Sequence, residues 1–379
     1  MSLKDLPIVF LHGITGSYLE QVYTGFDFSV TYSGLKKLYK DLDPLELNDD
    51  ALADESIVSE VERSEVESIA YGELLGRLRR LEQGRAPVYA FRYDWRYSNV
   101  RNAEILQDYL EYLEAKASAK QFRFICHSMG NLVLSAWLQG DLENRLPKVR
   151  RAALCCPPFG GSPSALEMLV VGEASWFSLN RSRQFRKIGR TFPALYELLP
   201  TDNCLLGHPN PNGTHWSFAS WPAPDKTHDS DAFKRKKALI KRRLDEARMV
   251  QESQFVDFDS IPKNELKNIA VFCGTGRETL TRVEVREKKG KFKPFFVFDR
   301  DDAQSPEESW QPGDQTVPLA SATRFKSLRT IEIDREAVDR RVLDRNLMNF
   351  HAGFMKIDKV ISLTGKWLSG RPVSKSWAP

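Results

Sequence analysis

Phe122-Arg123-Phe124-Ile125-Cys126-His127-Ser128-Met129-Gly130 is the stretch on which the reading of this chain turns. Its first five residues form an apolar-rich run of strand length. From Leu132 onward, Leu132, Val133, Ala136 and Trp137 recur at helical spacing up to Gly140, so Ser128 falls on a strand-to-helix turn. Such a turn lifts a serine hydroxyl above the sheet edge and tolerates only small residues two places before and after it. Gly130 meets that need, and Cys126, one of the smaller side chains, stands where glycine is usual. In this context Ser128 is a candidate nucleophile; in a plainer one it would only cap the first turn of the helix.

Outward from this turn the pattern repeats. Pro7 to Leu11, closed by His12-Gly13, and Val88 to Phe91 read as buried strands, and Arg150 to Cys155 as the next. Ile105, Leu106, Tyr109, Leu110 and Leu113 place an amphipathic helix between Arg101 and Ala117. Strand and helix in alternation predict a mostly parallel sheet with helices on both faces. From Pro157 to about Lys263 the chain becomes rich in Pro, Gly, Ser and Arg, which we read as an inserted cap or lid. Strand character returns at Ile269 to Cys273, followed by a hairpin over Arg282 to Phe298, a strand over Ser327 to Ile333 and an apolar helix from Ile357 to Leu368. The expected division is a first core part over 1–156, a cap over 157–265 and a second core part over 266–379. An acidic insertion over about 41–67 is expected to be a solvated loop.

The 379 residues carry 55 Lys+Arg against 51 Asp+Glu, a net charge of +4, with 41% hydrophobic and 28% charged residues, which excludes a disordered chain. No apolar run approaches the ~20 residues of a spanning helix, and the N-terminus lacks a signal-peptide pattern. Five cysteines, an odd number, read as reduced, buried thiols. The expected location is the cytoplasm, with peripheral membrane contact as a further expectation.

A serine nucleophile needs a base, a carboxylate to orient it and backbone donors for the oxyanion. In α/β-hydrolases the chain order is Ser, then Asp or Glu, then His. Here that order selects Ser128, Asp314 in Gly313-Asp314-Gln315-Thr316-Val317-Pro318, and His351 in Asn349-Phe350-His351-Ala352-Gly353. His12 precedes the nucleophile and is expected to shape the oxyanion loop. His127 adjoins Ser128, and consecutive side chains leaving a strand diverge. His208, His215 and His228 lie in the cap and match no closed zinc pattern. Asp299, Asp301 and Asp302 read as an exposed turn and Asp334 as a strand end. The backbone N–H groups of Met129 and Ile14 are the expected oxyanion donors. The fold class is therefore an α/β-hydrolase core with an inserted cap, and no cofactor or metal is predicted.

These segments resemble the lecithin:cholesterol acyltransferase family, which includes lysosomal phospholipase A and plant phospholipid:diacylglycerol acyltransferases. The resemblance rests on Pro7 to Gly13 with Leu19-Glu20, Phe91-Arg92-Tyr93-Asp94-Trp95-Arg96, His127 to Asn131, Pro158 to Pro163, Pro193 to Pro200, Gly274-Thr275-Gly276 and Gly313 to Pro318. It implies an acyl-enzyme on Ser128, with Asp314 and His351 as partners, and a mobile lid over an acyl-binding track. Members pass the acyl group to an alcohol or to water. The signal peptides and disulfides of the lysosomal and plasma members have no counterpart in this sequence. Asp94 and Arg96 are expected to form an internal ion pair.

Lys234-Arg235-Lys236-Lys237 and Lys241-Arg242-Arg243 bracket Ala238-Leu239-Ile240, and Phe233, Ile240, Leu244 and Ala247 share one helical face, as on a helix that docks on anionic membrane. Arg181, Arg183, Arg186, Lys187 and Arg190 form a second basic stretch suited to an acidic head group. Nucleic acid is excluded as a partner, because no binding motif accompanies the charge. The expected function is a serine-dependent acyl-transfer enzyme of lipid metabolism, an O-acyltransferase or a phospholipase A or lipase acting on a lipid or fatty-acyl ester. The rivals are a carboxylesterase or thioesterase for small soluble esters, and a non-catalytic ligand-binding protein of the same fold. The sequence leaves the oligomeric state open.

Overall fold

The computed structural model describes residues 2–21, 27–28, 45–47, 61–82, 85–172, 182–221, 230–288, 291–335, 349–374 and 376–377. Seven strands form the central sheet: β1 (Ile8–Leu11), β2 (Val88–Phe91), β3 (Phe122–His127), β4 (Val149–Cys155), β5 (Ile269–Thr275), β6 (Arg329–Asp334) and β7 (Ser376–Trp377). Their order is β7-β6-β5-β4-β3-β1-β2, and every neighbouring pair is parallel. The strands read as continuous apolar runs because both faces are covered. Along β1, Val9 and Leu11 join one core while Ile8 and Phe10 join the other, and along β3 Phe124 and Cys126 part from Ile125 in the same way. One face packs α2 (Asn99–Ala117) and α3 (Gly130–Gly140), through Leu106, Leu110, Leu113, Val133 and Trp137. The other packs α1 (Ser68–Glu82) and α7 (Asp358–Leu368), through Tyr71, Leu74, Leu78, Val360, Ile361 and Trp367.

Chain order reverses at β1, which lies between β2 and β3 with Leu11 level with Cys126. In parallel sheets the crevice at such a reversal, beyond the carboxyl ends of the strands, is where ligands bind. Both His12-Gly13 and Ser128 leave the sheet there.

Between β4 and β5 the described residues add no strand to this sheet and form, among other elements, α4 (Pro163–Val170), α5 (Ser182–Gly189) and α6 (Ser230–Ser253); 173–181 and 222–229, hence Arg181 and His228, lie outside the described residues. On α6 the apolar face of Ile240, Leu244 and Ala247 is buried and the helix packs on Pro193–Glu197, so the face expected to meet a membrane is turned inward. The second basic stretch also grips protein. Arg186 Nη1 donates to Val170 O (3.2 Å), Arg190 Nε to Leu169 O (2.7 Å), and Lys187 pairs with Glu46 at 2.9 Å, so cations meet the carboxyl end of α4.

The acidic insertion departs from the expected solvated loop wherever it is described. Leu45 and Leu47 are buried, Val61–Val66 pairs antiparallel with Ser17–Gln21, and Glu67 is buried at the start of α1; residues 48–60 lie outside the described residues. Leucines spaced between acidic residues are enough to anchor such a segment, which a count of charges does not register. The predicted hairpin forms as Val283–Lys288 against Lys291–Val297. Asp94 and Arg96 form the expected ion pair, at 2.7 Å, with Arg96 Nη1 also donating to Leu45 O (3.1 Å). All five cysteines are free and buried. Among the described residues no helix is long and apolar enough to cross a membrane.

Candidate active site

Ser128 adopts φ 53, in the left-handed region that side chains other than glycine rarely occupy. The turn is held by its own N–H, which donates to Cys155 O (2.9 Å), and by Asn131 Nδ2, which donates to Ser128 O (2.8 Å) and Cys155 O (3.0 Å). A Cβ on Gly130 would stand 2.5 Å from His12 O and 2.6 Å from Leu11 O, so glycine alone lets α3 start this close to β1.

The loop after β1 is built on His12. Its ring stacks on Tyr93 at 4.0 Å, and Nδ1 donates to Gly13 O (2.7 Å), an atom that can only accept. Nε2 therefore accepts from Ser17 Oγ (2.6 Å). Tyr93 Oη donates to His12 O (2.6 Å) and Trp95 Nε1 to Ser17 O (3.1 Å), so the Tyr93 to Arg96 segment supports this loop from below. Burial lowers the His12 pKa to about 3 and keeps the ring neutral. The loop closes as a turn, with Gly16 N donating to Gly13 O (3.1 Å) and Thr15 at φ 60. Among the described residues the main-chain N–H groups of Ile14 and Met129 have no hydrogen-bond partner.

Asp314 and His351 come together from separate loops. His351 Nδ1 donates to Asp314 Oδ2 (2.8 Å), which leaves Nε2 as the basic lone pair. Asp314 Oδ1 accepts from Thr316 N (3.0 Å) and Val317 N (2.7 Å), and His351 N donates to Asp314 O (3.0 Å). Asn349 caps the short helix Phe350–Gly353 by accepting from Ala352 N, and its Nδ2 donates to Thr316 Oγ1 (3.0 Å), so the two loops are locked to each other. Cys156 is a buried thiol near the Asp314 carboxylate; burial first and that carboxylate second push its pKa up, so it stays a thiol. Sequence reasoning missed this neighbour, since a buried cysteine next to a strand carries no local sign of it.

Ser128 and His351 line one pocket, whose cavity volume is about 40 Å³. Its walls are mostly apolar: Ile14, Ala165, Met168, Leu195, Leu198 and Val317. Ser128 Oγ and His351 Nε2 make no hydrogen bond to each other here; catalytic contacts of this kind commonly tighten only when substrate is bound.

The remaining histidines are engaged elsewhere. His215 Nε2 donates to Pro200 O (2.8 Å) and Nδ1 accepts from Cys204 N (3.4 Å), burial lowering its pKa to about 4; His208 bonds locally to Asn210. His127 Nδ1 meets Tyr71 Oη (2.8 Å) and Nε2 meets His351 O (3.2 Å). Among the described residues the group with metal-ligand character is His127, Cys156 and His351, whose donor atoms lie within 4.8 Å of one another. Both ring nitrogens of His127 and Nδ1 of His351 are already hydrogen-bonded to protein, and burial keeps Cys156 a thiol.

A family model described as lecithin:cholesterol acyltransferase matches residues 64–261, just over half of the chain; that stretch includes Ser128 and stops short of Asp314 and His351. No protein of curated function matches. Among solved structures the chain is similar to one in the Tle4-Tli4 complex, with a TM-score of 0.56 and 12% identity over 96% of this chain and 98% of that one. At this identity the likeness is one of fold. It also matches Bacillus licheniformis lipase BlEst2 (TM-score 0.45, 11% identity, 99% of this chain and 52% of that one). Legionella pneumophila phospholipase PlaB follows with TM-score 0.34, 13% identity, and 76% and 49% of the two chains.

Proposed function

Because the chain belongs to the lecithin:cholesterol acyltransferase family, we propose that it is a serine-dependent acyl-transfer enzyme acting on a lipid or fatty-acyl ester. The observation that carries this reading is Ser128 on its strained turn, lining one apolar pocket with the Asp314-bonded His351. In this mechanism Ser128 Oγ attacks the ester carbonyl carbon while His351 Nε2 takes the hydroxyl proton. The imidazolium is stabilised by Asp314, and the oxyanion by the N–H groups of Ile14 and Met129. Collapse of the tetrahedral intermediate breaks the bond to the leaving alcohol, which leaves with the proton from His351. Water or an acceptor alcohol, deprotonated by the same histidine, then attacks the acyl-enzyme and releases acid or a new ester.

The apolar walls support an acyl chain as the group bound. On this reading 157–265 is a cap over the core formed by 1–156 and 266–379, and α4 supplies one wall of the acyl site through Ala165 and Met168. Labelling with a fluorophosphonate, located by mass spectrometry, tests it alongside p-nitrophenyl esters of graded chain length. The expected adduct is on Ser128, with turnover rising toward longer chains. Ser128→Ala is expected to lose labelling and to fall by about 10⁴-fold or more in kcat with an unchanged circular dichroism spectrum. Near-wild-type turnover in that variant would remove Ser128 from the mechanism, and preference for short chains would favour a small-ester carboxylesterase.

A further inference from the structure

His127 and Tyr71 carry chemistry that the proposed mechanism leaves unused, although both are buried and line the same pocket as Ser128. The polarity of their hydrogen bonds is fixed by what each end can do. The His351 carbonyl can only accept, so His127 carries its proton on Nε2 and donates across 3.2 Å. Nδ1 is then a lone pair, and Tyr71 Oη donates to it across 2.8 Å. The oxygen of that hydroxyl in turn accepts from Gly13 N–H at 3.1 Å. Burial holds Tyr71 protonated and, with the neighbouring His351 in support, keeps His127 neutral, as this direction of donation requires. Four elements are joined in one line: the loop after β1, α1, the end of β3, and the loop that bears the base.

We propose that Tyr71 and His127 are positioning residues, forming a hydrogen-bonded strut from Gly13 N–H through Tyr71 Oη and the His127 ring to the His351 carbonyl. The strut holds the oxyanion loop and the base in register with the nucleophile. Gly13 needs such a hold: a Cβ there would stand 2.9 Å from Ser128 Cβ, and the next residue, Ile14, bears the N–H assigned to the oxyanion. The strut binds no substrate atom; it sets where the donor and the base stand, and it rests on the reading of the site given above.

Tyr71→Phe keeps the ring and deletes the hydroxyl, leaving Gly13 N–H and His127 Nδ1 without this partner. The expected result is a fall in kcat of about 10-fold or more with KM within twofold, a smaller loss than the ~10²–10³ seen when an oxyanion donor is deleted outright. His127→Phe removes both links and is expected to fall further, and the double variant to cost less than the product of the singles. His127→Gln, whose amide can donate to the His351 carbonyl, is expected to recover part of the loss. A purely structural role would lower thermal stability and leave kcat untouched in the fraction that folds. Nitrogen-15 NMR of the wild-type imidazoles is expected to place the His127 proton on Nε2. A proton on Nδ1, or Tyr71→Phe within twofold of wild-type kcat, overturns the strut. A wild type that neither labels nor turns over overturns the reading of the site instead, and the tautomer, which needs no turnover, still decides the hydrogen-bond chain.

Discussion

At the scale of single residues, the turn at Ser128 depends on what is missing at Gly130. The atoms that a methyl group would strike belong to the backbone of β1 and its following residue, which cannot swing aside as a side chain does. Gly130→Ala is expected to destabilise the protein by about 3 kcal/mol or more in urea unfolding and to abolish Ser128 labelling in whatever remains folded. Unchanged labelling would mean that α3 can shift away from β1 without disturbing the serine. Ser128, Asp314 and His351 are legible in the sequence because each sits in a short segment of recognisable composition and their order matches the fold. Tyr71 is not, since a tyrosine on an amphipathic helix carries no local mark and its partners are 58 and 56 residues away. Glu67, buried beside the pocket, is hidden in the same way by the acidic stretch that precedes it.

At the scale of elements, helix periodicity predicts which face is apolar and is silent about what covers it. On α6 the stripe of Ile240, Leu244 and Ala247 is legible, but its cover is the segment Pro193–Glu197, some forty residues upstream, and not lipid. α1 carries two interior glycines, Gly72 and Gly76, that dilute its apolar pattern while Tyr71, Leu74 and Leu78 still reach the core. A Cβ at Gly72 would meet nothing nearer than Ser68 Cβ at 3.6 Å, and one at Gly76 nothing nearer than Arg80 Nη1 at 3.5 Å. Gly72→Ala and Gly76→Ala are therefore each expected to raise stability by about 0.5–1 kcal/mol, read as a higher urea midpoint with an unchanged slope. A loss at either position would show that α1 needs glycine for a reason other than space.

At the scale of the whole molecule, the protein is expected to lose stability as pH falls below 6.5. His12 (pKa about 3) and His215 (about 4) stay neutral in the folded state, and His127 is lowered in the same direction, while in the unfolded chain each takes up a proton below about 6.5. Their contribution is complete above that pH and is lost on the way down to about 4 for His215 and about 3 for His12, at no more than about 1.4 kcal/mol per pH unit for each ring. Glu197, raised by burial, acts in the opposite sense just above 4.5. Urea midpoints at pH 7.5 and 5.5 check this, with a shallower dependence expected for His215→Gln and a flat wild-type profile counting against it. The order of the strands also sets a timetable for synthesis. Ser128 leaves the ribosome more than 200 residues ahead of His351. At roughly 5–20 residues per second, the growing chain carries its nucleophile for about 10–45 s before the base exists. On the proposed chemistry, an enzyme that attacks lipid esters is thus made in a form that cannot do so, and it is armed only once His351 has been added.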